Sequence, residues 1–269
     1  MVKFERKEKY RYDDLVALLR ILRAPDGCPW DRVQTHESNR RNVLEEAYEA
    51  AEAFDRDDPD AMCEELGDML MQVLFNIHIE EDAGRFTTDD VTDRICRKLI
   101  FRHPHLFAQE DAPQEGAPQL ARWEELKKLE KGQRTVAETM DGVARSLPAL
   151  WRAEKLQGKA ANAGFDFPDV SGALAKLDEE AAELRAAVEN GTNYFEELGD
   201  VLFAAVKVGR FCGVDPEEAL HATCEKFLAR VRSVEQAVAA SGRTVADCPL
   251  GELTALWDGA KHPAPDAET

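Results

Sequence analysis

The stretch "EELGDMLMQVLF", Glu64–Phe75, returns as "EELGDVLFAAVKV" at Glu196–Val208. In each copy an acidic cluster runs directly into apolar residues three and four apart, the pattern of a helix with one buried stripe. Working outward, "LEEAYEAAEAF" (Leu44–Phe54) precedes the first copy and "DEEAAELRAAV" (Asp178–Val188) precedes the second. Behind them follow "CRKLIFR" (Cys96–Arg102) and "CEKFLAR" (Cys224–Arg230). Glu180 stands 134 residues after Glu46, Asp200 stands 132 after Asp68, and Lys226 stands 128 after Lys98. Three landmarks in one order, with an offset that drifts as loop lengths change, mark a duplicated unit of roughly 90 to 110 residues.

The periodicity is helical almost throughout, which predicts an all-α fold of two tandem modules. "DDLVALLRILR" (Asp13–Arg23) carries one apolar stripe, and "PDGCPWD" after it is a turn. Helices are expected at Ser38–Phe54, Pro59–Gly84 and Thr88–Phe101, then in the second set at Val170–Asn190, Asn193–Cys212 and Pro216–Ala239. Between the sets, "HPHLFAQEDAPQEGAPQ" reads as a loop and "ARWEELKKLEKGQR" as a polar connecting helix. The expected boundaries are 1–110 for the first module, 111–158 for the connection and 159–269 for the second module. The tail after Lys261, rich in proline and acid, reads as loose.

The 269 residues suffice for real cores, and 44% hydrophobic with 32% charged residues is a soluble composition. A net charge of −19 argues against nucleic-acid polymer as a partner. It allows a small polyanion where metal ions stand between the two sets of negative charge. No apolar run reaches the roughly 18 to 20 residues of a membrane helix. The charged start "MVKFERKEKYRYDD" is unlike a secretory signal, so a cytoplasmic protein is expected. The six cysteines form no Cys-x-x-Cys pair and read as buried or inert thiols.

On a helical wheel with Glu45 at 0°, Glu46 lies at about 100° and Glu49 at about 40°. Leu44, Ala47, Tyr48, Ala51 and Phe54 fall between about 180° and 300°. Carboxylates occupy one arc and apolar residues the other; Glu179, Glu180 and Glu183 repeat the acidic arc. Glu65 and Asp68, then Glu197 and Asp200, are i, i+3 pairs sharing a face. A single E-E-x-x-E is most often a solvated surface. Here, however, five acids recur while Glu52 becomes Ala186, and each aspartate abuts an apolar stripe, where an unpaired carboxylate is expensive. Carboxylates gathered from two helices stay ionised together only with cations among them, and an all-oxygen set without histidine describes a site for Mg²⁺ or Mn²⁺. A di-iron bundle needs paired Glu-x-x-His motifs, whereas this chain offers only Glu218–His221, so His221 reads as a surface residue. His103 and His105 read as stabilising a helix C-terminus. Lys98/Arg102 and Lys226/Arg230 each place two cations on one face, which suits a polyphosphate beside metal.

E-E-x-x-E followed by E-x-x-D on helices resembles the all-α nucleoside triphosphate pyrophosphohydrolases. "GCPWDRVQTHES", "KLIFRHPHLF" and "RSLPALWRAEKLQ", with the two EELGD segments, are similar to the two-domain MazG type, over roughly Leu15 to Lys261. The resemblance implies four-helix-bundle-like modules, Mg²⁺ dependence, a homodimer, and hydrolysis of nucleoside triphosphates to monophosphate and pyrophosphate with broad substrate range. It places activity in the C-terminal unit, with Glu180, Glu183, Glu197 and Asp200 as metal ligands; Glu46, Glu49, Glu65 and Asp68 form a second possible set. Lys176, Glu179, Lys226, Arg230 and Trp257 would line the nucleotide site, Trp257 as a base-stacking platform. The mechanism expected is in-line attack of a metal-activated water, with Glu179 or a neighbouring glutamate accepting the proton. Two positions depart from the pattern: Asn193 stands for a lysine and Cys224 for an asparagine. The rival readings are a narrower nucleotide specificity and a non-catalytic helical module that binds nucleotide or a partner.

Overall fold

A computed structural model describes residues 4–107, isolated positions between 122 and 132, and residues 135–261. The Pro-rich stretch beyond Phe107, most of the expected connecting helix at 121–134, and the tail after Lys261 lie outside the described residues. Among the described residues the regular structure is helical, as the periodicity predicts. No helix among them is long and apolar enough to cross a membrane. The chain divides into two compact units, Met1–Leu126 and Lys127–Thr269.

The first unit holds α1 (Tyr12–Arg23), α2 (His36–Asp55), α3 (Pro59–Asp82), α4 (Thr88–Arg102) and one turn of helix, α5 (Pro104–Phe107). Local chemistry fixes the starts. Thr35 accepts a hydrogen bond from the Ser38 amide, Asp58 from Asp60 and Ala61 ahead of Pro59, and Thr87 from Asp90. Asp57, at φ 50°, turns the chain between α2 and α3 into a helical hairpin. Val16 and Leu19 of α1 bury against Leu74, Phe75 and Ile77 of α3. Around that core Arg20 pairs with Glu81 at 3.1 Å and Arg23 with Asp82 at 2.8 Å.

The second unit holds α6 (Val136–Asp141), α7 (Ala149–Ala161), α8 (Val170–Asn190), α9 (Tyr194–Cys212), α10 (Pro216–Ala240) and α11 (Leu250–Ala260). Asp169 and Asp215 cap α8 and α10, and Gly191, at φ 67°, closes α8 in a left-handed turn. The Gln157 side-chain amide donates to the Phe203 carbonyl at 2.7 Å, tying α7 to α9. The Trp151 indole donates to Asp215 at 2.9 Å.

Four expectations need correction. "HPHLF", read as loop, gives the single turn α5, with the His103 ring donating to the Leu99 carbonyl at 2.6 Å as expected of a helix-end histidine. Helices α6 and α7, the first within 111–158 and the second running past its end, and α11 all fall where the sequence reading places no helix. The thiols of Cys63, Cys96, Cys212 and Cys224 belong to exposed residues, not buried ones, and all six cysteines are free. Finally, the arcs of α2 are separated as the wheel requires, but the apolar arc is not the one that packs. Leu44 and Tyr48 are 46% and 56% exposed, while the buried residues are Asn39, Ala50 and Ala53. The matching stripe of α8 is Ala173, Glu180 and Ala187. Small side chains let each hairpin close tightly on its acidic side, leaving the large apolar groups on the outer face.

Candidate active site

That inversion builds the site. Ala173, Glu180 and Ala187 recur every seven residues, two helical turns, so Glu180 is carried inward between alanines and is 7% exposed. Glu183 follows one turn later on α8, and Glu197 comes from the first turn of α9. One carboxylate oxygen from each of the three lies within 4.8 Å of the others. The first unit repeats the arrangement with Glu46 and Glu49 of α2 and Glu65 of α3. Six of the eight expected ligands are thus brought together; Asp68 and Asp200 stand outside the mutual 4.8 Å sets.

Crowded carboxylates should resist ionising. Burial first, then Glu180 and Glu197, push the Glu183 carboxyl above its ordinary value. Burial likewise raises Glu65, with Glu49 and Asp68 among the neighbouring charges that add to it. Glu46 is raised by burial, against the Gln72 hydrogen bond, and further by Asp68 and Glu49.

The units differ in what faces the acids. In the second, the Lys176 ammonium lies 2.6 Å from Glu180 and 2.8 Å from Glu179, and these carboxylates raise its own pKa, Glu179 foremost. Asn193, in left-handed backbone at φ 56°, donates its side-chain amide to Glu197 at 3.2 Å. In the first, Asn42 holds the place of Lys176 and donates to Asn39 at 3.2 Å. Its Glu46 instead accepts from the buried Gln72 amide at 3.3 Å, where the second unit has Ala204. Sequence reasoning passed over Gln72 because the repeat was read for its acids. A polar residue at an otherwise apolar position was the available signal.

The remaining expected residues form a second group. The Arg230 guanidinium lies 5.6 Å from the centre of the Trp257 ring, and the Phe227 ring meets the same indole at 5.2 Å. An open apolar cleft of about 290 Å³ adjoins it, lined by Val231, Val234, Leu250, Leu253 and Trp257. Helix α11, missed in the sequence, is what carries Trp257 to Arg230. Lys226 and Cys224 are exposed on α10, as is His221. Lys98 and Arg102 lie on α4, whose described side chains include none that is buried.

The donor chemistry fits a hard divalent cation: three carboxylates and, in the sets found among the described residues, no histidine or thiolate.

Comparison with known proteins places both sets in familiar sequence. The model of the MazG nucleotide pyrophosphohydrolase domain matches residues 34–107 and again 163–234, each segment containing one three-carboxylate set. The chain is 39% identical over 250 residues to the nucleoside triphosphate pyrophosphohydrolase/pyrophosphatase MazG of Thermotoga maritima, covering 93% of this chain and 95% of that protein. It is 40% identical over 255 residues to the nucleoside triphosphate pyrophosphohydrolase of Escherichia coli K12, covering 93% and 97%. It also matches YabN of Bacillus subtilis at 43% identity over 264 residues, covering 97% of this chain but 54% of that protein.

Proposed function

The chain belongs to the MazG nucleotide pyrophosphohydrolase family, and on that premise we propose that it hydrolyses nucleoside triphosphates to monophosphate and pyrophosphate. The proposal includes broad tolerance of the base and a role in housekeeping of the nucleotide pool. Membership makes the protein a hydrolase with two all-α modules. The observation that carries the finer reading is the convergence of Glu180, Glu183 and Glu197 within 4.8 Å, with Glu180 buried.

We assign Mg²⁺, or Mn²⁺, to Glu180, Glu183 and Glu197, with Asp200 completing the set. The ion would neutralise phosphate charge and polarise the attacked phosphorus. The side chains do the remaining work. Glu179, exposed and adjacent to the set, takes the proton from the attacking water. Lys176, Lys226 and Arg230 hold phosphate oxygens, and Trp257 presents a face to the base. Catalysis is assigned to the module at 159–269, with 1–110 as a related scaffold and 111–158 as the connection.

A homodimer forms part of the reading. The outer apolar residues of the second hairpin, among them Leu198, Leu202 and Phe203, remain 44–50% exposed within the unit, a surface suited to a further helical layer. Light scattering should return twice the 30.1 kDa chain mass, and a monomer at micromolar concentration would refute it.

The decisive experiment is pyrophosphate release across standard and damaged nucleoside triphosphates, with and without Mg²⁺. Release from several bases, only with metal, is expected. No release from any substrate would sink the proposal, and release from one alone would replace breadth with narrow specificity.

A further inference from the structure

Resting on the metal assignment above, we infer that Lys176 is a resident counter-cation of the second carboxylate set, which a divalent ion must displace from Glu180. Three observations carry this. First, the ammonium is already paired with two carboxylates. It bridges Glu179 at 2.8 Å and Glu180 at 2.6 Å, and Glu180 belongs to the three-carboxylate set. Second, Glu180 is the buried member of that set, its side chain 9% exposed, so its charge is the costliest to leave without a partner. Third, the duplicated unit supplies an internal control. Asn42 replaces the lysine there, and the equivalent Glu46 accepts from the neutral Gln72 amide.

An ammonium and a divalent ion cannot both occupy the inner side of one Glu180 carboxylate without strong repulsion. Metal entry therefore breaks the 2.6 Å pair, and the long lysine side chain, 40% exposed, is free to turn outward. One residue then serves two states. With the site empty of metal it holds the acids together. With metal bound it becomes a cation available to a phosphate chain, so that metal binding prepares the site for its anion. The first unit has no such device at the corresponding position.

The test is Mn²⁺ binding to the full-length chain, read from the electron paramagnetic resonance of the free ion. Glu46→Gln and Glu65→Gln are built in to silence the first set. In that background Lys176→Met should tighten Mn²⁺ binding roughly tenfold or more, the scale of a lost charge-assisted hydrogen bond. Lys176→Arg, which keeps the charge, should bind like the parent. Lys176→Gln gives a second neutral variant should the methionine disturb folding, which circular dichroism checks. Unchanged or weaker binding in both neutral variants would overturn the inference. The metal assignment fails separately: it falls if the parent shows no Mn²⁺ binding that Glu180→Gln removes.

Discussion

Glu46 in the first unit rests beside a neutral amide, whereas Glu180 in the second rests beside an ammonium. Both units gather three carboxylates within 4.8 Å, and both do so by closing a helical hairpin on small residues. In the first unit burial, with the neighbouring carboxylates adding to it, holds Glu46 and Glu65 above their ordinary pKa. In the second, burial and the neighbouring carboxylates push Glu183 upward, and the Lys176 ammonium faces Glu180 at 2.6 Å. The lesson concerns duplication: the scaffold and its acids persist in both copies, while the groups that tune those acids diverge. Charge counting therefore cannot rank the two sites, but their partners can.

The largest effect should come from removing metal altogether. Chelation is expected to abolish pyrophosphate release, with Mg²⁺ or Mn²⁺ restoring it and Zn²⁺ serving poorly, because the ligands are all oxygen. Full turnover in chelator would dissolve the comparison, since neither set would then matter. Next comes the contrast between the units. Glu180→Gln or Asp200→Asn should lower kcat on the order of a hundredfold or more, while Glu46→Gln and Asp68→Asn leave most activity intact. Equal losses in folded variants would mean that both units turn over substrate. Between the two second-unit variants, the larger loss should fall on Glu180→Gln, because Asp200 lies outside the 4.8 Å set.

Stability offers a third contrast. The first unit relies on large side chains, and Leu74 is 1% exposed; Leu74→Ala should cost about 2–5 kcal/mol. The core of the second hairpin is mostly alanine, so Val206→Ala, at 2% exposed, should cost roughly 2 kcal/mol. Chemical denaturation followed in each variant would test this, and a larger loss from Val206→Ala would show that the second unit is the more tightly packed.

Helix type and the duplication were legible in the sequence because both follow from spacing. Spacing did not separate Asp68 and Asp200, which stand outside the 4.8 Å sets, from the glutamates that form them. Periodicity places Glu180 and Glu183 on one face whatever the helix packs against. What spacing cannot say is which face turns inward. Leu44 and Tyr48 are large and apolar, and only the closeness permitted by Ala50 and Ala53 shows why the hairpin closes on the other side. Contacts across long separations were equally hidden. Gln72 meets Glu46, and Trp257 meets Arg230, through turns whose geometry no local pattern encodes. Helix α11 was missed because its eleven residues begin after a proline with a weakly amphipathic run.

The smallest expected effect sharpens the comparison at the far end of the first hairpin, where His36 clamps α2 to α3. Its Nδ1 meets Asn76 at 2.8 Å and its Nε2 meets Glu80, which Arg85 also holds at 2.5 Å. The second unit has Val170 and Cys212 at the matching places, so it lacks the clamp. Hydrogen bonds from Arg85 and then His36 hold Glu80 down to about 2, while Glu80 and then Asn76 raise His36 above 6.5. For the depressed acid, stability is present above its unfolded value near 4.5 and is lost as pH falls toward about 2. For the raised base, stability is present below 6.5 and is lost as pH climbs through the higher folded value. The clamp is therefore strongest between roughly pH 4.5 and 6.5 and weakens on both sides. With His36 48% exposed, solvent screens the pair and the change in melting temperature should be small. His36→Ala should remove the alkaline part of this dependence, and Glu80→Gln both parts. A pH profile of melting that both variants leave unaltered would show that the His36–Glu80 pair adds nothing to the closure of the first hairpin, and that in this respect it does not differ from the second.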